Sequence, residues 1–349
     1  MKDKQSGGMT LFNLLGGKST GLWLALRKCF CELKRYKLGK SLSLGGGRLP
    51  EKYALPVSVI ICTCNRTEKL LDAVSSVRNQ TLDGSQYEII VVNNGTEFDG
   101  RVSGKLWDVS VIEERRQGLS YARNTGAKAA KGRYLVFIDD DAVARPNLLE
   151  LVKDAFDKHK KAGIVGGQIL LRAEPSCLDI VLPGHESVWS QYTVSYKRYR
   201  EVSRQYEFPF GANFSVRHSV LDASGGFDES YGRIGDDFGG GEETALCFKT
   251  LKLGYKIGIE PRAVVYHKVD RERFTKEHIR RTIRAGILTT YRLYRDGYSP
   301  AAWDKSYAEE RVRIAEKEIL RLKGNKAEEL EIFYKECEKN GFEELAQSI

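Results

Sequence analysis

Short apolar runs alternate with amphipathic segments through the central part of the chain. The strand-like runs are VSVIICT at 57–63, EIIVV at 88–92, VSVIE at 109–113 and YLVFI at 134–138. Residues 67–79 and 119–130, which lie between these runs, have the spacing of apolar positions that predicts helices. Strands that alternate with helices in this way predict an α/β fold with a parallel, right-handed sheet.

Three consecutive carboxylates follow the most apolar of these runs directly, at Asp139, Asp140 and Asp141. The carboxyl ends of parallel strands meet at one edge of a sheet, which is where open α/β folds bind ligands. Adjacent carboxylates repel one another and need solvent or a cation, and oxygen ligands suit Mg²⁺ or Mn²⁺. An acidic turn that caps the helix expected from Pro146 is the alternative interpretation. The same edge would collect residues 63–66, 93–95 and 115–118, which predicts a site of nucleotide size.

The termini differ from the central region in composition. Residues 1–50 form a basic segment and linker, in which one helical face at 21–36 is apolar and the other carries Arg and Lys. This face could lie in an anionic membrane interface or could pack on its own domain. Residues 51–270 form the main domain, and residues 271–349 form a basic helical region. That region has an apolar stripe at Ile279, Ile283, Ile287, Tyr291 and Tyr294, flanked by arginines.

The formal net charge of +9 favours an anionic partner such as a phosphate, an acidic lipid or a nucleic acid. The basic residues are clustered in the terminal regions and no nucleic-acid recognition motif is present, so we expect no nucleic-acid partner. Seven cysteines without paired zinc-site spacing favour a reduced, cytoplasmic protein. No apolar window is long enough to span a membrane, which leaves the inner membrane face as a peripheral location.

Five blocks of the sequence, taken in order, resemble family-2 glycosyltransferases over residues 56–268. They are VSVIICTCNR, EIIVVNNGT, GLSYARNTGAKAAKGRYLVFIDDDA, GANFSVRHSVLDASGGFDE and GGGEETALCFKTLKLGYKIGIEPRAVVYH. The resemblance implies a glycosyltransferase A fold, with a Rossmann-like, mostly parallel sheet flanked by helices. It implies a nucleotide-sugar half at 56–141 and an acceptor half at 142–270. It also implies transfer with inversion from a nucleotide-diphosphate sugar to a glycan or lipid-linked hydroxyl, with Mn²⁺ or Mg²⁺.

The resemblance also implies roles for individual residues. Asp141 would contact the metal together with Asp139 and His267. The residues expected at the donor are Thr63, Asn65, Arg66, Asn93, Arg123, Asp139 and Asp140. Asn93 stands where the family generally has Asp to accept a hydrogen bond from the base.

Glu243 would be the general base and Glu242 would orient the acceptor, although these two roles could be exchanged. Simple capping of a helix N-terminus is the competing explanation for the glutamates. For Arg123, the competing explanation is an exposed cation on a helix. For His267, it is a purely structural role. Trp189 and Asn213 are candidates for acceptor binding.

Two other functions compete with this interpretation. A nucleotidyltransferase shares a related sheet, but it needs no base for a sugar hydroxyl, so the GGGEET block and His267 disfavour it. A catalytically inactive glycan-binding or scaffold protein of the same fold is the second. The intact Asp139–Asp141 run together with Glu243 favours an active enzyme.

Overall fold

A computed structural model describes residues 53–235, 238–324 and 329–349. The prediction of a basic amphipathic segment and linker over residues 1–50 lies outside the described residues. The remaining elements form one nine-stranded sheet with helices on its faces and a helical C-terminal region.

The first half of the sheet is parallel, as the alternation of strands and helices predicts. Its strands are β1 (Leu55–Thr63), β2 (Tyr87–Asn93), β3 (Ser110–Glu113) and β4 (Gly132–Asp139), in the spatial order β3-β2-β1-β4. The connecting helices are α1 (Thr67–Arg78), α2 (Gly100–Lys105) and α3 (Leu119–Ala129). The central strands are apolar because both of their faces are buried, and Val59, Ile60 and Val136 are fully inaccessible.

The second half of the sheet is mixed. It contains β5 (Ala142–Ala144), β6 (Ala162–Arg172), β7 (Arg200–Val202), β8 (Phe214–Arg217) and β9 (Lys256–Lys268), with helices α4 (Leu148–Lys158), α5 (His218–Ala223) and α6 (Glu242–Lys252). Strand β8 runs antiparallel to both β4 and β6, whereas β9 runs parallel to β6. Strands β5 and β7 pair antiparallel with β9. The row of parallel carboxyl ends is therefore interrupted by β8, beyond which β6 and β9 again run in the direction of β4.

Three long helices follow the sheet: α7 (Lys276–Arg295), α8 (Lys305–Gly324) and α9 (Glu329–Ser348). The predicted stripe on α7 is present, since Ile279, Ile283 and Ile287 are buried in a second apolar cluster. The larger side chains of that cluster are Trp189, Trp303, Tyr334 and Phe342. Over the described ranges, none of the helices combines the length and the apolar character that crossing a bilayer requires.

The arginines beside the stripe on α7 have acidic neighbours. Arg280 pairs with Glu277, Arg284 pairs with Glu344 on α9, and Arg295 pairs with Asp296. Because these carboxylates offset the positive charge locally, this face of α7 attracts anions less than its sequence suggests.

Candidate active site

The carboxylates at the end of β4 are held by polar groups from β1 and the loop after it. The Thr63 hydroxyl donates to Asp140 Oδ2 at 2.7 Å. Arg66 Nη1 lies 3.0 Å from Asp140 Oδ1 and 3.0 Å from Asp141 Oδ2. Burial and the negative charge of Asp141 outweigh Arg66 and raise the pKa of Asp140 to about 6. Thr63 and Arg66, both predicted to bind the nucleotide-sugar donor, therefore hold Asp140 and Asp141 in place at the tip of β4.

His267 on β9 faces Asp141 across the short pairing of β9 with β5. Its Nε2 lies 3.1 Å from Asp141 Oδ1, and its Nδ1 donates to the carbonyl oxygen of Trp189 at 2.9 Å. Burial opposes the charged imidazole, but the hydrogen bond to Asp141 prevails and raises the pKa of His267. Despite burial, His267 and Arg66 hold the pKa of Asp141 well below its usual range.

These residues fit a divalent cation. A histidine whose Nδ1–H is fixed by a backbone carbonyl presents Nε2 as a ligand, in the manner of metal-binding histidines. The Asp141 carboxylate lies at that nitrogen, and the Asp139 side chain, which is 35% exposed, lies on the same strand end. Across the described part of the chain, no three His, Cys, Asp or Glu side chains are grouped so that they could hold a metal ion. A cation here would therefore take part of its shell from substrate phosphates, as Mg²⁺ commonly does.

Arg123 on α3 joins the tip of β4 to the start of α6. Its Nη1 donates to Glu242 Oε1 at 2.7 Å and to Glu243 Oε1 at 2.8 Å, and its Nη2 lies 3.4 Å from Asp139 Oδ1. The side chain is only 3% exposed, so the alternative of an exposed helix cation is wrong. Because one guanidinium contacts all three carboxylates, Asp139 and the glutamate pair lie in one site.

The two glutamates have different environments. Glu242 is 2% exposed, and its Oε2 has no hydrogen-bond partner among the described residues. Burial and the neighbouring charge of Glu243 outweigh Arg123 and raise the pKa of Glu242 to about 8. The Glu243 side chain is 16% exposed. Glu242 therefore holds a proton at neutral pH, whereas Glu243 presents the accessible carboxylate.

Glycines let the backbone approach this pair closely. Helix α6 begins after Gly241, whose φ of 99° lies in the left-handed region that favours glycine. At Gly211, a Cβ atom would lie 2.0 Å from Glu243 Oε1 and 2.2 Å from Arg123 Nη2. The turn at Gly211 thus has no room for a side chain beside the Arg123–Glu243 contact.

Asn65 and Asn93 both form hydrogen bonds with the loop that follows β2. Asn65 adopts a left-handed φ of 59°, and its Oδ1 accepts hydrogen bonds from the amide and the hydroxyl of Thr96. Asn93 is 1% exposed, its Nδ2 donates to the Thr96 carbonyl, and its Oδ1 accepts from the Gly95 amide. The role of Asn93 at a base stays a prediction: its amide is buried, and its Oδ1, which already accepts from Gly95, keeps one further lone pair.

The two candidates for acceptor binding are buried. Trp189 is 2% exposed, and its ring stacks on Phe274 at a centroid distance of 5.4 Å. Asn213 is inaccessible and donates to the carbonyl oxygens of Gln168 and Ala263, where β6 and β9 are irregular. It lies in a turn before β8 rather than at the end of a strand. Both side chains are thus packed in the interior, although Trp189 Nε1 and Asn213 Oδ1 have no hydrogen-bond partner among the described residues, and their assignment to the acceptor stays a prediction.

Other residues near the site escaped the sequence analysis. Arg273 Nη1 lies 3.8 Å from Asp141 Oδ2, and Glu113 at the end of β3 contacts Asn93. Arg273 is one of many arginines in a basic stretch, and no spacing distinguishes it. Glu113 could have been noticed, because it ends a predicted strand at the same edge as Asn93.

Comparison with known proteins agrees with this geometry. Residues 58–223 match the family model described as glycosyl transferase family 2. The chain carries a family 2 glycosyltransferase domain. The predicted family and enzyme class are thereby confirmed.

Individual relatives are glycosyltransferases as well. The glucosyl-dolichyl phosphate glucuronosyltransferase of Haloferax volcanii is 28% identical over 225 residues, which cover 62% of this chain and 70% of the relative. The poly(ribitol-phosphate) β-N-acetylglucosaminyltransferase TarP of Staphylococcus aureus is 33% identical over 100 residues, 27% of this chain and 31% of the relative.

A solved structure supports the fold. The mannosyltransferase PcManGT from Pyrobaculum calidifontis, in complex with GDP-Man and Mn²⁺, superposes with a TM-score of 0.50 at 20% identity. The match covers 80% of this chain and 72% of that chain. The predicted α/β architecture of the glycosyltransferase A type is confirmed.

Proposed function

We propose that this glycosyltransferase moves a sugar, with inversion, from a nucleotide-diphosphate sugar to a hydroxyl of a glycan or a lipid-linked acceptor. The observation that carries this proposal is the position of Arg123, which contacts Asp139 on one side and Glu242 and Glu243 on the other. A donor held at the tip of β4 would present its sugar toward an accessible carboxylate. Two similar proteins agree with this chemistry, one solved with GDP-Man and Mn²⁺ and one named for a dolichyl phosphate acceptor.

The donor side would consist of Asp139, Asp141, His267 and Arg66. Asp141 and His267 would hold Mn²⁺ or Mg²⁺, with phosphate oxygens of the donor in the rest of its shell, and the cation would neutralise charge on the departing nucleoside diphosphate. Asp139, which contacts Arg123, would lie nearer the sugar. Arg66, whose side chain is 42% exposed, is close enough to Asp141 to add a second positive charge for the phosphates. Thr63 orients Asp140, which lies between these two aspartates.

The acceptor side would depend on the glutamate pair. Glu243 takes the proton of the attacking hydroxyl, because its neighbour Glu242 is buried and already protonated at neutral pH. Arg123 holds the Glu243 carboxylate in place. Attack from the face opposite the departing diphosphate inverts the anomeric centre through an oxocarbenium-like state, and no covalent nucleophile is needed.

A panel of nucleotide sugars, scored with and without Mn²⁺, tests the proposal. We expect one donor to raise the melting temperature only with Mn²⁺, and we expect Asp141→Ala to abolish that increase. Glu243→Ala should abolish transfer and leave donor binding nearly unchanged. Asp154→Asn removes an exposed carboxylate on α4 and serves as the control for charge.

Two outcomes of the panel would contradict the proposal. Transfer that survives in Glu243→Ala would place the base elsewhere. Donor binding by the unaltered protein without transfer or hydrolysis would instead indicate an inactive glycan-binding protein of the same fold.

We also propose that the protein is cytoplasmic and lies peripherally on an anionic membrane surface through residues 1–40. The support is the basic, amphipathic sequence pattern of that segment. Four of the five arginines of α7 pair with carboxylates among the described residues, which weakens the attraction of that helix for anionic lipid. Removal of residues 1–40 should therefore reduce sedimentation with anionic vesicles and leave the low background with neutral vesicles unchanged. Equal sedimentation of the two forms with anionic vesicles would refute the membrane proposal.

A further inference from the structure

Three residues form a row in register at the carboxyl edge of the sheet. Thr63 of β1 is paired with Asn93 of β2, and Asn93 is paired with Glu113 of β3. In a parallel pair, residues that are directly opposite point to the same face of the sheet. The row continues toward β4 through the hydrogen bond from Thr63 to Asp140. Glu113 therefore ends a line of polar residues that begins at the aspartates.

Glu113 is the exposed member of this row, and a buried amide orients its carboxylate. Asn93 Nδ2 lies 3.1 Å from Glu113 Oε1 and 3.3 Å from Oε2. Asn93 and Thr63 are 1% and 3% exposed, whereas Glu113 is exposed to solvent. One shared N–H leaves most of the acceptor capacity of the carboxylate available to solvent or to a ligand.

The direction in which a nucleoside would extend follows from the sheet. Strand β8, on the far side of β4, is antiparallel and does not present its carboxyl end at this edge. The glutamates of α6 occupy the neighbourhood of Asp139 through Arg123. With its phosphates at the aspartates and its sugar toward Glu243, a donor would thus lay its base over β1, β2 and β3. Glu113 lies three strand spacings from β4, roughly 14 Å.

A carboxylate only accepts hydrogen bonds, and this property separates the nucleobases. Uracil and guanine carry an N–H donor on the ring nitrogen of their pairing edge, at N3 and N1 respectively. Cytosine N3 and adenine N1 are acceptors at the corresponding position. Their lone pairs would face the carboxylate oxygens without a hydrogen between them. Cytosine and adenine could donate to Glu113 only by shifting to bring their exocyclic N4–H₂ or N6–H₂ group to it, and this shift is disfavoured where the phosphates and the sugar are fixed.

We propose that Glu113 reads the base of the donor by accepting a hydrogen bond from a ring N–H, so that uracil or guanine is bound and cytosine and adenine are rejected. This inference rests on the proposed function. It assigns to Glu113 the hydrogen bond from the base that the sequence analysis expected at Asn93, which is buried. Uracil and guanine share the ring N–H, and the experiment distinguishes between these two bases.

The variant Glu113→Gln tests the proposal without changing the size of the side chain. Because Asn93 Nδ2 donates to residue 113, the glutamine would turn its carbonyl oxygen toward Asn93 and its NH₂ group toward the base. The substitution therefore converts the acceptor into a donor. We expect the dissociation constant of the favoured nucleotide to rise about ten- to a hundredfold. The difference in dissociation constant between the favoured and the disfavoured nucleotides should become smaller, because cytosine N3 and adenine N1 can accept a hydrogen bond from the new NH₂ group.

The measurement is calorimetric titration of the full chain with UDP, GDP, CDP and ADP in the presence of Mn²⁺. The unaltered protein should favour UDP or GDP, and which of the two it favours identifies the base. Glu97→Gln removes an exposed carboxylate from the loop between β2 and α2 and should retain the original affinities.

The possible results are distinguishable. An affinity for the favoured nucleotide that is unchanged in Glu113→Gln overturns the inference alone. Binding of CDP or ADP by the unaltered protein as tight as that of UDP and GDP overturns it as well. A failure of all four nucleotides to bind the unaltered protein contradicts the proposed function, and the inference falls with it.

Discussion

At the scale of single residues, the charge of Glu242 depends on its surroundings. The side chain is buried beside Glu243. Among the described residues its ionic partner is the Arg123 guanidinium, which Glu243 and Asp139 share. A guanidinium shared among three carboxylates does not neutralise all of them, so one proton remains in the group at neutral pH. The pKa of Glu242, raised to about 8, favours Glu242 as the carrier of that proton, and its side chain is the least exposed of the three.

Glu242→Gln should become more stable relative to the unaltered protein as pH rises from about 5 to 8.5. The pKa of Glu242 is raised in the folded state from 4.5 to about 8, so the folded protein binds this proton more tightly than the unfolded chain. The associated stability is present below about pH 4.5 and is lost as pH rises through 8. Because glutamine cannot ionise, the difference in melting temperature should grow by at least about 2 °C across this window.

Thermal denaturation in EDTA at several pH values measures this difference. Asp154→Asn, which alters an exposed carboxylate on α4, should show a difference that stays flat over the same range. A difference that falls with pH for Glu242→Gln would mean that the carboxyl is ionised in the folded protein.

The chemistry of the site was more predictable from sequence than its contacts. Asp139, Asp141, Glu243 and His267 were chosen from the resemblance to the family, and the structure brings them together at Arg123 and at the end of β4, while their roles stay predictions. The contacts of Asn93 could not be predicted, because the hydrogen bonds of its buried amide involve residues 95, 96 and 113, and no spacing shows that these atoms meet.

At the scale of elements, a 3₁₀ turn at Gly211–Asn213 delivers the chain from the irregular segment into β8. Its first residue lies against both Glu243 and Arg123, where a Cβ atom has no room. This turn therefore helps to fix the position of the proposed base, although it contributes no polar side chain to it.

Gly211→Ala should lower the rate of transfer and leave donor affinity almost unchanged. The added methyl group would displace the Glu243 carboxylate and the nearby Nη2 of Arg123, whereas the tip of β4 would remain in place. We expect kcat to fall at least about tenfold, because misplacement of a catalytic group by about 1 Å can cost a hundredfold. Single-turnover kinetics and calorimetric titration of the donor would separate the two effects.

Gly84→Ala is a matched control for this substitution. Gly84 also begins a 3₁₀ turn, and no atom lies within 4 Å of the position that its Cβ would take. This control should keep both rate and affinity. A donor dissociation constant that rises as steeply as kcat falls in Gly211→Ala would show that the turn supports the whole site and not the base.

Long elements were predicted within a few residues, and short ones were missed for a physical reason. The helix expected at 67–79 spans Thr67–Arg78, and the strand expected at 88–92 spans Tyr87–Asn93. Strands β5 and β7 have three residues each, too few for a periodic pattern to be read. They form because β9 is long enough to pair with several partners, which is a tertiary effect.

At the scale of the whole molecule, the C-terminal helices are attached to the site through the irregular segment before β7. Trp189 in that segment belongs to the apolar cluster of α7, α8 and α9, and its carbonyl oxygen accepts the hydrogen bond from His267. The sequence predicted an apolar stripe on α7, and its burial is confirmed. What the stripe packs against could not be read from its spacing, because Trp189 and Phe342 are far from α7 in the chain.

Phe342→Ala should reduce the free energy of unfolding by about 3–5 kcal/mol, the usual cost of removing a buried aromatic ring. Phe342 is 1% exposed, and its ring lies 5.8 Å from Trp303 and 6.1 Å from Tyr307, measured between centroids. Leu320→Ala on α8 is the control, since Leu320 is 71% exposed and should change stability by no more than about 0.5 kcal/mol. Urea denaturation of both variants gives the comparison. Equal costs of the two substitutions would show that the apolar cluster is loosely packed, and the cluster would then not support the carbonyl that orients His267.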